Sequence, residues 1–473
     1  MITVLIPVCV LLGIILCKRI PKIGGNVQAA LILAGVLSLL LGGVFKPSDW
    51  CGALVDGVDR LAWVIFLSIF GSIYAETQVR LGTMETVMSA LKAKFGKSPR
   101  ALVICIILAL VVAGSLLGDA IAAATVIGVL TIGTLAAMGL TPEHICCVIV
   151  MGASMGSIMP PITQALALAS TLVDTDPDPV VAIGYVTSSV VIILVCTYVV
   201  TFFVKKDMKI VEYDANGNEI QETRKAGQII RENWTSLIPL LVLILIVIFR
   251  TVNVPGIKFD LVPELLNKIT FLTVGEEEIT LYQWLSQVTI LKGLSNGIVL
   301  SLIFVMLVSF CFPRVRVDIK GTVVSGVRKV KVTVGLQLCA AFMLGCFYAG
   351  GQIDAVMAFA QGLNSNILKI GGAAAMCLIG MLTGSQSTTQ NVVFSFFGPA
   401  LVNIGLNPTY VAVAGANLAA AGQGLPPADL TTFVVAGIVG GMLGKKVDPV
   451  KSMFYMVPMC LLFLIIGMVF MYI

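Results

Sequence analysis

Two carboxylates lie inside long apolar stretches of this chain: Asp119 in "AGSLLGDAIAAA" and Asp429 in "GQGLPPADLTTF". Shortly before the second comes a run of seven polar side chains, "SQSTTQN" at 385–391. Double prolines also occur twice, in "GSIMPPITQ" (156–164) and "GQGLPPADL" (422–430). A proline pair ends a helix and leaves backbone carbonyls without partners. Carboxylate, hydroxyl, amide and carbonyl oxygens together suit a small hard cation such as sodium. The N-terminus of a helix that restarts beyond such a break favours an anion. A proton carried by the aspartates is the competing coupling ion. Enzyme chemistry fits poorly, because the chain has one histidine, His144, and neither an HExxH nor a GxSxG signature. The twelve cysteines include no CxxC pair, and Cys146 and Cys147, the only adjacent two, read as small apolar packing residues.

Groups of this kind need elements that hold them at hydrocarbon depth. Of the 473 residues, 58% are hydrophobic and only 12% charged, where soluble proteins average about 25% charged. Apolar runs of spanning length recur from end to end, so the chain reads as an all-α polytopic membrane protein. The first run, 2–17, lacks a preceding basic region and a following cleavage site, and reads as a retained span. Basic clusters at Lys18/Arg19/Lys22, Lys92–Arg100, Lys205–Lys209, Arg314–Lys331 and Lys445–Lys451 alternate with acidic or mixed loops. Basic loops stay in the cytoplasm, which puts the N-terminus outside. These clusters need no nucleic-acid partner.

The charge map then orders the spans. Residues 2–17 run inward, 27–44 outward and 61–76 inward, and 81–95 is an amphipathic surface segment. The stretch 101–139 is too long for one span and has inside-type signals at both ends, so a re-entrant hairpin is expected. The run 145–172 goes outward through the first proline break, and 180–204 returns. A polar linker follows at 205–233, then a span at 237–249 and an external loop at 251–287 with room for a short surface helix. In the second half, 293–312 runs inward and 334–349 outward, with a surface segment over 353–364. A second hairpin, 370–405, enters from outside. The chain ends with a broken helix at 410–439 and an outward span at 453–473. About ten spans plus two re-entrant hairpins result. The domains are therefore 1–25 (an extra span), 26–204 (first repeat), 205–290 (linker, extra span and external loop) and 291–473 (second repeat).

A shift of 266 positions superposes the halves without a gap. Gly118 falls on Gly384, Gly139 on Gly405, Gly156 on Gly422, and Pro160 and Pro161 on Pro426 and Pro427. Ten of the 44 positions in 118–161 are identical. The hairpins enter from opposite sides, so the repeats are inverted, as in many secondary transporters whose sites lie at interrupted helices near the midplane. Two hairpin tips and two breaks should converge. A channel also uses re-entrant loops, but usually repeats them about an oligomer axis.

"GKSPRALVICIILALVVAGSLLGDA" followed by "GLTPEHICCVIVMGASMGSIMPP" resembles the large membrane subunit of tripartite ATP-independent periplasmic (TRAP) transporters, within the broader superfamily of organic-anion:sodium symporters. The resemblance covers both halves. It implies an elevator-type carrier of organic anions, often carboxylates, coupled to sodium ions and using no other cofactor. Carried over by position, the ion set is Ser115, Gly118, Asp119, Gly156, Ser157, Gly384, Ser385, Gly422, Gln423 and Asp429. The substrate set is Ser387, Thr388, Thr389, Asn391, Pro160, Thr163 and Pro426. Implied partners are lipid, a small membrane subunit and a soluble binding protein, with an inner-membrane location and a homodimer as a further expectation. The first tip carries less serine than the family pattern, and no fused four-helix small subunit is present, which makes a stand-alone symporter the alternative.

Overall fold

Backbone groups at hydrocarbon depth must bond within their own segment, and the computed structural model accordingly consists mainly of helices. It describes all residues except 1, 17–22, 96–97, 162, 206–207, 209–224, 252–260, 275–276 and 363. Most of the linker, part of the external loop and Lys18, Arg19, Lys22, Lys97 and Lys209 therefore lie outside the described residues.

The first half comprises α1 (Ile2–Leu16), α2 (Val27–Leu41), α3 (Pro47–Leu81), α4 (Thr83–Phe95) and α5 (Pro99–Leu117). Short α6 (Ala120–Ala123) runs through a π-helical turn, Ala124–Gly128, into α7 (Val129–Ala137). Then come α8 (Pro142–Ile158), α9 (Gln164–Leu172) and α10 (Pro177–Phe202). The connecting region holds α11 (Ala226–Thr251), α12 (Leu261–Asn267), an antiparallel hairpin of β1 (Thr270–Val274) and β2 (Glu277–Thr280), and α13 (Leu281–Gln287). The second half is α14 (Gly297–Phe310), α15 (Pro313–Arg316), α16 (Ile319–Ala349), α17 (Gln352–Gln361) and α18 (Ser365–Thr383). Short α19 (Gln386–Thr389) leads through a second π-helical turn, Gln390–Phe394, to α20 (Ser395–Asn403), followed by α21 (Pro408–Gly424), α22 (Leu430–Leu443) and α23 (Pro449–Tyr472).

Several boundaries differ from the sequence expectation. Helix α3 starts at Pro47 instead of 61, because Pro47 occupies the first helical turn, Asp49 sits favourably there, and Asp56 pairs with Arg60 at 3.0 Å. Those charges form a solvated helix face, not a loop. Helix α16 likewise starts at Ile319, where the Asp318 carboxylate accepts the Gly321 N–H at 2.8 Å. Helix α11 begins at Ala226 and kinks at Asn233. The segment expected as an external loop contains a β-hairpin as well as short helices, which departs locally from the all-helical expectation. Among the described residues, five helices are long and apolar enough to cross a membrane alone, and a sixth if the two arms of α16, bent by 50°, count as one span. The other apolar helices have 17 residues or fewer.

The shift of 266 positions seen in the sequence also holds for the backbone. Helix α5 maps onto α18, α6 onto α19, one π-turn onto the other, α7 onto α20 and α8 onto α21 with every boundary matched, and α9 and α22 start in register. Both tips turn at a glycine in the left-handed region, Gly118 (φ 64°) and Gly384 (φ 60°), where a side chain would be strained. Both breaks contain a cis peptide, Pro160–Pro161 and Pro426–Pro427.

Helices α8 and α21 are buried on nearly every face and form the centre of the core, as expected of helices apolar all round. Each hairpin packs its first arm on a broken helix, glycine against glycine. A Cβ on Gly114 would lie 2.7 Å from the Gly156 Cα, and one on Gly380 2.6 Å from the Gly422 Cα. The long helices α3 and α16 approach through Gly57 and Gly345, where an added Cβ would overlap the carbonyls of Ala341 and Ala53. Small residues allow such backbone approach in membranes.

Candidate substrate and ion site

Each half-helix that restarts after a tip or break is capped by its own side chain. Asp119 accepts the Ala122 N–H at 2.7 Å, and Ser385, its equivalent, accepts that of Thr388 at 3.3 Å. At the breaks, Thr163 accepts the Leu166 N–H at 3.3 Å. Its equivalent Asp429 accepts those of Thr431 (3.3 Å) and Thr432 (3.0 Å), together with the Thr432 hydroxyl. Four orphan helix ends thus find partners where no water bulk is at hand.

The capped ends surround a cavity of about 100 Å³. Gly118 and Asp119 line it from the first tip, and Gly384, Ser385, Gln386 and Ser387 from the second. Ser157 and Gln164 line it from the first break, and Gln423, Leu430 and Thr431 from the second. The convergence expected from the repeat is present. The remaining wall includes Ala120 and Ile121 on α6, Ala165 and Leu168 on α9, Val64 on α3, Gln337 on α16 and Gln390 in the second π-turn.

A second cavity of about 380 Å³ shares Asp119, Ile121 and Gln164 with the first. Ser68, Ser72 and Glu76 of α3 and Lys329 of α16 line its other side. Lys329 Nζ meets Glu76 at 2.7 Å, and Arg80 bridges Glu76 at 3.4 Å and Asp318 at 2.9 Å. The Arg80 guanidinium and the Gly321 N–H hold the exposed Asp318 carboxyl below the ordinary carboxylate range. This network fastens α3 to α16 beside the wider cavity.

Of the ion set, Gly118, Asp119, Ser157, Gly384, Ser385 and Gln423 line the smaller cavity, as does Ser387 of the substrate set. The others lie behind that wall. Ser115 donates to the Pro160 carbonyl at 2.7 Å, tying the first hairpin to the first break. Gly156 and Gly422 precede the lining residues and serve the helix contacts. Thr388 and Thr389 bond back to Ser385, and Asn391 to the Ser387 carbonyl. Residues 386–394 are helical, so of the polar run 385–391 only Ser385, with Gly384 before it, forms the tip. Asp429 is fully buried and accepts from Thr431 and Thr432; it does not line the cavity, but its neighbours Ala428 and Leu430 abut the second tip at Gly384. Pro160, Thr163 and Pro426 shape the breaks without lining the cavity.

Sequence reading passed over Gln337, although it is a lone amide in an apolar run and such residues deserve a functional reading. It also passed over Ser68, Ser72 and Glu76, whose four-residue spacing puts them on one helix face.

The family model described as "Tripartite ATP-independent periplasmic transporter, DctM component" matches residues 20–473. The chain belongs to the DctM family. This family is one of secondary transporters, not enzymes, and its members usually work with small membrane and periplasmic binding partners. Two solved structures share the fold of this DctM-family chain. The Alcanivorax borkumensis YdaH transporter, described as having an unusual topology, is 15% identical with a TM-score of 0.58, over 94% of this chain and 97% of its own. Neisseria gonorrhoeae MtrF, described within a class of antimetabolite efflux pumps, is 14% identical with a TM-score of 0.61, over 97% and 96%. No curated protein sequence matches the chain.

Proposed function

We propose that this DctM-family protein is a secondary active permease for a small organic anion, a carboxylate, driven by sodium. The supporting observation is that both hairpin tips and both proline breaks meet at one small cavity. Asp119, Ser157, Ser385 and Gln423 supply oxygens there for sodium. The start of α9, at Gln164, also reaches the wall and favours an anion. In this reading hairpins and broken helices move as one body along α3 and α16, an elevator. The membrane in this reading is an inner membrane with the N-terminus outside, an orientation that the basic clusters support. A small membrane subunit and a soluble binding protein deliver substrate, and a homodimer is the proposed assembly.

The test is uptake into proteoliposomes by the purified protein, alone and with its partner subunits, with and without an inward sodium gradient. Saturable, concentrative uptake that requires the gradient is expected. Unchanged concentrative uptake in sodium-free buffer at fixed potential and pH would move the coupling to protons. Flux that neither saturates nor concentrates would indicate a channel.

A further inference from the structure

The two cavities differ in size in a way that separates an ion from an organic molecule. The smaller, about 100 Å³, is room for ions and a few waters. The wider, about 380 Å³, falls within the range of small-molecule pockets, about 300–1,000 Å³. Its polar wall can be accounted for group by group. The hydroxyl protons of Ser68, Ser72 and Thr125 go to the carbonyls of Val64 (2.9 Å), Gly326 (2.8 Å) and Ala122 (3.1 Å). Ionised, the carboxylates of Glu76 and Asp119 only accept. Among the described lining residues, two side chains with donors to offer remain: Lys329 of α16 and Gln164 at the start of α9.

Of these two, only Lys329 brings charge. In sequence it belongs to a basic cluster read as a cytoplasmic loop, yet helix α16 carries it onto the cavity wall. Its side chain is half-exposed, and its one partner among the described residues is Glu76, at 2.7 Å. An ammonium has three N–H groups, so two stay open to an incoming acceptor. Glu76 in turn does not depend on Lys329 alone, because Arg80 reaches it at 3.4 Å. Lys329 can therefore share or leave Glu76 without stranding a buried carboxylate. We propose that Lys329 receives the carboxylate of the organic substrate in the wider cavity, while the smaller cavity beside it serves sodium. The start of α9, at Gln164, opens to the same cavity and favours the same sign of charge. The two carboxylates on the wall do not turn the site toward a cation. Glu76 already has two cations, and Asp119 caps α6 and is shared with the smaller cavity. The inference rests on the transporter reading above and gives its substrate a place and a charged partner.

The experiment measures thermal protection of the purified full chain in sodium buffer. Propionate, succinate and glutarate are each paired with the neutral amide: propionamide, succinamide and glutaramide. At least one carboxylate is expected to protect at concentrations about tenfold or more below its amide, since charge-assisted hydrogen bonds are about twice as strong as neutral ones. Lys329→Gln should raise that protecting concentration about tenfold or more. Glu76→Gln, which frees the ammonium, should lower it, and this opposite shift decides the matter even if Lys329→Gln fails to fold. Amides that protect as well as the carboxylates, or carboxylates that never protect, would overturn the proposal. So would a Lys329→Gln protein that melts lower yet keeps the wild-type protecting concentration, because Lys329 would then only pin α3 to α16. Sodium-driven uptake whose half-saturating substrate concentration ignores Lys329→Gln would remove this inference and leave the transporter reading standing. Lys329-dependent carboxylate binding without sodium-driven uptake would do the reverse.

Discussion

The two repeats share a backbone but place their carboxylates at non-equivalent positions. In the first, the tip cap is Asp119 and the break cap Thr163; in the second, the tip cap is Ser385 and the break cap Asp429. All four accept a helix N–H, so the fold needs an acceptor at each place and not a charge. What the charge does depends on what it faces. Asp119 is only part-buried and lines both cavities. Asp429 is fully buried and spends its oxygens on Thr431 and Thr432. The halves thus divide one pattern into a carboxylate that lines the cavities and a carboxylate spent on its own helix end.

The largest effects should come from what the repeats have in common. Gly114→Val and Gly380→Val push a side chain into the backbone of the broken helix, and each should cost about 3 kcal/mol or more. Loss of monodisperse protein in size-exclusion chromatography would report it. Gly133→Ala and Gly437→Ala, which meet open space, should leave the melting temperature nearly unchanged.

Next come the two aspartates, where the halves should part. Asp119→Asn keeps a good cap but removes the charge from the cavity. Uptake should fall at least about tenfold, equivalent to about 1.4 kcal/mol, with a higher half-saturating sodium concentration and little change in melting temperature. Asp429→Asn puts an amide donor among N–H and hydroxyl donors and should cost about 1–3 kcal/mol of stability, with sodium activation in place. Sodium activation and melting temperature measured on both purified variants settle the comparison. If Asp429→Asn instead moved sodium activation at an unchanged melting temperature, the two carboxylates would be doing the same job.

The smallest effects belong to the neutral partners. Thr163→Ala should lower stability by about 1 kcal/mol through the lost cap. Ser115→Ala should cost a similar amount, about 1 kcal/mol, by freeing the buried Pro160 carbonyl. Both should retain sodium-dependent uptake, and a tenfold loss in either would extend the functional wall beyond the cavity.

Much of this was legible in residue order. Composition alone demanded membrane helices, because hydrocarbon leaves the backbone no other partner. The register between glycines and prolines of the two halves revealed the repeat, since only certain residues tolerate a left-handed turn or end a helix. The tip at Gly118 and Asp119 and both breaks were found this way. Boundaries set by charge were less legible. Asp56, Arg60, Lys320 and Lys329 read as loop residues, yet caps and an i,i+4 pair keep them helical.

Which way each polar side chain turns was decided only by the tertiary structure. Sequence shows that 385–391 is polar, but helical winding turns part of it toward α9 and part toward the cavity. It shows two aspartates beside two breaks, but not that one is spent on its own helix end. Above all, it gives no reason for Gln337 of α16 and Gln390 of the second π-turn to line one cavity. Helix formation is local and follows from nearby residues, whereas the partners of a buried amide are chosen by packing between distant helices.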